Sequence, residues 1–146
     1  MHIIPGILQN TILVSALTAW LVAQLLKVAV NALLLRGLDW RLLVSSGSFP
    51  SSHSATVSAL ALGIGKYYGW DSPIFAVAAV FAIIVMYDAA GVRRAAGKQA
   101  EQINRLLEHF YQGSDLSQQR LKELIGHTPL EVFAGAMLGV IIGLVI

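Results

Sequence analysis

The stretch Gly47-Ser48-Phe49-Pro50-Ser51-Ser52-His53-Ser54-Ala55 gathers small residues, hydroxyls and one histidine between two long apolar runs. Pro50 suits the first turn of a helix, where its missing N–H has no partner to lose. Ser48, Ser51 and Ser52 can cap that helix, and the free N–H groups of its first turn point outward with the positive end of the dipole. A turn of this kind binds anions, phosphate above all. His53 would stand beside the anion, able to give or take a proton near neutrality. A serine-rich loop that does no more than cap a helix is the plain structural alternative.

Other chemistry-bearing residues recur at similar boundaries. In Gly126-His127-Thr128-Pro129-Leu130-Glu131, Glu131 lies four residues after His127, so on a helix the two share a face. A carboxylate there can fix the imidazole tautomer. The same residues read equally as a capping box, with Thr128 at the cap and Glu131 three on. Lys27 lies in the last third of an apolar run, where a lysine is costly unless it faces protein or water. Snorkelling to the nearby interface, toward Arg36 and Trp40, is its alternative. Asp88 precedes Arg93 and Arg94 by about one turn, which suits a simple ion pair.

Two histidines, several cations and a helix N-terminus suffice for a phosphate site without a metal. Cations and backbone N–H groups hold the oxyanion and stabilise developing charge. One histidine can attack phosphorus while the other protonates the leaving oxygen.

The elements that must position these residues read as membrane helices. The chain has 146 residues, 56% hydrophobic and only 12% charged, with a mean hydropathy of +0.69. Soluble domains carry roughly 25% charged residues. We therefore expect an all-α integral membrane bundle, one domain over 1–146, with about four transmembrane helices and one amphipathic helix. The first segment runs from about Ile7 to Leu35, and a polar connection, Gly37 to Phe49, follows it. The second opens at Pro50 and ends near Tyr68; the third covers about Ile74 to Ala90. Ala95 to Tyr111 reads as an amphipathic helix, lying on the membrane or packed over the site. Gln112 to Gln119 reads as a polar turn and Leu121 to Ile125 as a short helix. The last segment covers about Pro129 to Ile146. The opening Met1-His2-Ile3-Ile4-Pro5 has no basic region, so the first apolar run is expected to be a retained helix.

This topology brings Lys27, Arg36, Ser51, Ser52, His53, Asp88, Arg93, Arg94, His127 and Glu131 to one end of the bundle. Connections after the first and third segments carry most of the cations, which places them in the cytoplasm of an inner or plasma membrane protein. Without cysteine there is no disulfide or thiolate site, and a formal charge of +2 gives no case for nucleic acid. Small residues on the second and last helices would allow a homodimer.

Three stretches, GSFPSSHSA at 47–55, MYDAAGVRRAAGKQAE at 86–101 and LIGHTPLEVFAGAMLG at 124–139, carry a resemblance. The chain resembles the divergent PAP2 branch of the superfamily of type 2 phosphatidic acid phosphatases and vanadium haloperoxidases. The resemblance implies that Lys27 binds phosphate with Arg36, for which Arg41 competes. It implies that Ser51 and Ser52 line the anion, that His53 is the general acid and that Arg93 or Arg94 is the second arginine. His127 would be the nucleophile, forming a phosphohistidine, with Glu131 as its orienting carboxylate. The chain departs from the wider pattern in four places: eight residues separate Lys27 from Arg36, which Gly37 follows rather than proline; Ser52 stands where glycine is usual; Glu131 replaces aspartate; and 33 residues separate Arg93 from His127. The activity implied is cofactor-free hydrolysis of a phosphorylated membrane lipid. A phosphate-binding scaffold on a degenerated phosphatase fold is the second reading, and a small transporter using Lys27 and Asp88 the third.

Overall fold

The computed structural model describes residues 3–35, 48–110 and 126–146. The described residues form six helices and no strand: α1 (Ile3–Gln9), α2 (Thr11–Leu35), α3 (Ser52–Tyr68), α4 (Pro73–Ala90), α5 (Val92–Phe110) and α6 (Pro129–Val145). Arg36, Trp40 and Arg41 lie outside the described residues, as do Tyr111, the turn expected over Gln112–Gln119 and the helix expected over Leu121–Ile125.

The start of each helix follows from its side chains. The first apolar run is not one helix from Ile7. It breaks at Asn10, whose Oδ1 accepts from the Leu13 N–H at 3.0 Å and so caps α2. Nor does Pro50 open the second helix. Ser51 is the cap, its side chain accepting from the Ser54 N–H at 3.3 Å, and Pro50 precedes it across a cis Phe49–Pro50 bond. Ser72 caps α4 and Thr128 caps α6, each followed by proline in the first turn. The amphipathic helix begins at Val92, three residues before the expected Ala95. Gly91 donates to the Tyr87 carbonyl at 2.8 Å and accepts from the Ala95 N–H at 2.9 Å, so helical bonding carries across the α4–α5 junction.

Helix α3 is central. It packs on α2, α4 and α6, and α2 also meets α6. The core is built of small residues: Ala19 and Ala23 of α2 meet Ala55 and Ala59 of α3, with Leu138 and Ile142 of α6 against them. Gly135, Gly139 and Gly143, spaced four apart, let α6 lie directly on α3. A Cβ at Gly135 would collide with the Ser51 carbonyl, and one at Gly139 with the Ala55 carbonyl. The two helices run side by side in the same direction. Ser51 donates to the Glu131 carbonyl at 3.0 Å at one end, and the Lys66 ammonium donates to the Gly143 carbonyl at 3.1 Å at the other. Small-residue faces of α3 and α6 thus meet each other within the chain.

The large apolar side chains lie outside, among them Leu21, Leu25, Val77, Phe81, Ile84, Phe133 and Leu144. Small residues between helices and an apolar skin are what a bilayer selects, because lipid tails cover leucine as well as a core does. Thr11–Leu33 and Pro73–Leu107 are long and apolar enough to cross a membrane, while the apolar Pro129–Val145 is shorter.

Candidate functional site

Helices α3 and α6 present their N-termini at the same end, and the site is assembled there. On α2, Lys27 is fully buried and turns inward, its Nζ donating to Ser52 Oγ at 3.1 Å. It lies six residues before the end of the apolar stretch at Leu33, roughly 9 Å along the helix at 1.5 Å per residue.

His127 sits just before α6 and is 2% exposed. Its backbone N–H donates to the Ala89 carbonyl at the end of α4, at 3.0 Å. Its Nδ1 lies 3.0 Å from Glu131 Oε2, and the same oxygen accepts from the Thr128 N–H at 3.3 Å. That oxygen is already an acceptor, so Nδ1–H is the donor and Nε2 keeps its lone pair. The Thr128 hydroxyl accepts from the Glu131 N–H at 3.3 Å, which closes the capping box. Capping and imidazole orientation are therefore simultaneous. Burial pushes the His127 pKa below the usual histidine value, against the raising effect of the Glu131 hydrogen bond and charge. Lys27 and Arg93 push in the same direction as burial.

His53, in the first turn of α3, faces His127 edge to face, with 5.9 Å between ring centroids and 66° between planes. His53 Nδ1 and His127 Nε2 are both buried and have no hydrogen-bond partner among the described residues. The spacing is well inside the roughly 10 Å beyond which one phosphoryl group could not reach both rings. Lys27, Arg93 and Asp88 lie within electrostatic range of His53.

The remaining expected residues divide. Asp88 pairs with Arg93, whose Nε donates to Oδ2 at 2.7 Å, and both side chains are partly exposed. Arg94 is exposed, and its backbone abuts Gly126 so closely that a Cβ at that glycine would collide with it. Arg36 and Arg41 lie outside the described residues. Ser51 is buried, with its oxygen committed to the α3 cap. It accepts from the Ser54 N–H and, at 3.0 Å, from the Ser54 hydroxyl.

Two contributors were missed by sequence reasoning. Ser54 is fully buried and stiffens the cap; the density of serines around His53 was the available signal. The Ala89 carbonyl anchors His127, and a backbone acceptor leaves no signal in the residue type. Among the described residues, no group of three or more His, Asp or Glu side chains gathers closely enough to hold a metal ion.

An apolar-skinned helical bundle with a lysine, two histidines and two helix N-termini at one end is a membrane protein with a candidate oxyanion site. A profile of the Divergent PAP2 family matches residues 8–142, and the chain belongs to that family. The uncharacterized membrane protein YuiD of Bacillus subtilis (strain 168) is 45% identical over 151 residues, covering 96% of each chain. No solved structure matches the chain. Family membership relates the protein to PAP2-type phosphatases.

Proposed function

We propose that the protein is a membrane-embedded, metal-independent phosphatase acting on a lipid phosphate or pyrophosphate through a phosphohistidine. The observation that carries this reading is His127. Its Nδ1 is held by Glu131, its Nε2 is buried with no partner among the described residues, and a second histidine lies 5.9 Å away.

The phosphate lies against the Lys27 ammonium and the Ser52 and His53 N–H groups at the start of α3, with the Ser52 hydroxyl beside them, and these offset the charge on its oxygens. His127 Nε2 attacks phosphorus as the bond from phosphorus to the leaving oxygen breaks, and His53 donates its proton to that oxygen. His53, now neutral, takes a proton from a water that attacks the phosphohistidine. The P–N bond breaks, phosphate leaves and both histidines return to their starting states. Glu131 keeps the Nδ1 proton in place and stabilises the positive charge on the imidazole. A lipid substrate is supported by the depth of Lys27 within α2, because an acyl or isoprenyl tail can stay in the bilayer while its phosphate reaches the site.

A binding scaffold is the second reading. It draws on Arg93, whose guanidinium is engaged by Asp88. The two readings part on phosphate release by the purified protein in detergent, from a panel of lipid phosphates and pyrophosphates with chelator present. Release that survives chelator and disappears in His127→Ala supports the enzyme. Vanadate binding by both proteins without release by either supports the scaffold.

A further inference from the structure

Beyond Arg93 in its first turn, which lies within electrostatic range of both histidines, helix α5 takes no part in the core cluster. It contacts only α4 among the described helices, yet it is strongly two-faced. Val92, Ile103 and Leu106 lie along one side, 59%, 44% and 55% exposed. Arg94, Lys98 and Arg105 form a neighbouring stripe at helical spacing. Arg105 pairs with Glu101, whereas Lys98 has no ion-pair partner among the described residues. Where the two stripes meet, Lys98, Gln99, Gln102 and Ile103 line a shallow depression of about 390 Å³.

The chemistry of that depression is mixed in a particular way. An ammonium and two amides can donate to an anion's oxygens, and Ile103 offers an apolar edge immediately beside them. An exposed apolar stripe on a helix rich in cations fits the boundary between headgroups and acyl chains. Helix α5 follows α4 within the stretch Pro73–Leu107; the 18 residues of α4 rise roughly 27 Å, close to the apolar thickness of a bilayer, so α5 begins near the lipid headgroups.

We propose that α5 rests its Val92–Ile103–Leu106 face on the bilayer and that the Lys98–Gln99–Gln102–Ile103 depression binds the headgroup of an anionic phospholipid. The helix then acts as a headgroup-reading arm that leads away from the histidine pair. Basic residues near an anionic surface strengthen such attachment, so Lys98 and Arg105 give it a dependence on lipid charge. The proposal does not need the phosphatase reading.

The chain has no cysteine, so one engineered thiol can be labelled cleanly. Ile103→Cys and Leu106→Cys, each carrying an environment-sensitive fluorophore, are placed in nanodiscs of zwitterionic lipid with increasing phosphatidylglycerol. The expected result is blue-shifted emission, quenched by doxyl-labelled acyl chains, with a shift that grows several-fold with anionic lipid. Lys98→Gln with Arg105→Gln should abolish that growth while leaving the apolar contact. Soluble glycerol phosphate should not reproduce it. Emission typical of water at every composition overturns the proposal. So does a shift indifferent to lipid charge, or one that appears only in discs holding two copies, which would assign the face to a dimer.

Discussion

Glu131 Oε2 lies 3.0 Å from His127 Nδ1 while it accepts the Thr128 N–H that closes the α6 cap. One carboxylate oxygen thus fixes both where α6 starts and which nitrogen of His127 faces inward. Helix start and imidazole orientation are coupled by covalent geometry, since the three residues fall within five positions of the sequence.

The two duties of Glu131 are separable by substitution. Glu131→Gln keeps a carbonyl oxygen for the Thr128 N–H but loses the carboxylate charge behind the imidazole. We expect thermal stability in detergent to change little and kcat to fall about 100-fold or more, within the range assigned to general acid–base and orienting groups. Glu131→Ala should lose the same activity and in addition about 1 kcal/mol of stability, the usual worth of a cap. Equal activity in Glu131→Gln and the unaltered protein would leave the carboxylate a cap alone.

The pH dependence follows from the burial of His127. Its pKa in the folded protein is below the unfolded value of about 6.5. The folded state therefore holds fewer protons than the unfolded chain between those two values. The stability from the neutral, buried ring is fully present above about pH 6.5 and is lost as pH falls through the folded value. His127→Gln should flatten this part of a melting-temperature profile below about pH 6.5. The acidic limb of kcat/KM, where the nucleophile protonates, should likewise fall below about pH 6.5.

Lys27 tests the anion site without touching either histidine. Lys27→Met keeps the length of the side chain and removes a buried charge, a change often neutral or stabilising in the absence of a ligand. Vanadate affinity should drop by roughly 10- to 100-fold, the worth of one charge-assisted hydrogen bond of about 1.5–3 kcal/mol. Isothermal titration with orthovanadate measures it. Unchanged affinity would place the anion elsewhere.

The α3–α6 contact makes a stability prediction remote from the chemistry. Gly139→Ala puts a methyl against the Ala55 carbonyl, and backbone cannot yield as a flexible side chain does. We expect a loss of about 1–3 kcal/mol, typical of overpacking, read as a lower melting temperature. Gly6→Ala, with nothing within 4 Å of the added methyl, should show no comparable loss.

Much of this was legible from sequence because it is local. The His127–Glu131 spacing and the Thr128 cap are contained in five residues, so either geometry could be read directly. That both hold at once is a property of the folded chain, where one Glu131 oxygen meets His127 and the Thr128 N–H together. The rotation of α2 was not legible. Lys27 could have snorkelled, and what turns it inward is the Ala19 and Ala23 face that α3 selects, a tertiary preference that no single position announces. The break at Asn10 was hidden by apolar residues on both sides of it. The cap at Ser51 was obscured by three candidate serines around Pro50. The arginines were the least legible, since spacing alone left Arg93 and Arg94 equivalent; the 2.7 Å contact to Asp88 distinguishes them.

The central claim is that His127 becomes phosphorylated. The direct measurement uses the His53→Ala protein in detergent with p-nitrophenyl phosphate and chelator. p-Nitrophenolate leaves without needing a proton, so the first step survives, while hydrolysis, which needs His53 as a base, slows. After an alkaline quench, intact-mass and peptide analysis should find one phosphoryl group on His127. That group should be absent when His127→Ala is combined with the first substitution. A phosphoryl group on no residue, with phosphate release by the unaltered protein indifferent to His127→Ala, would contradict the account.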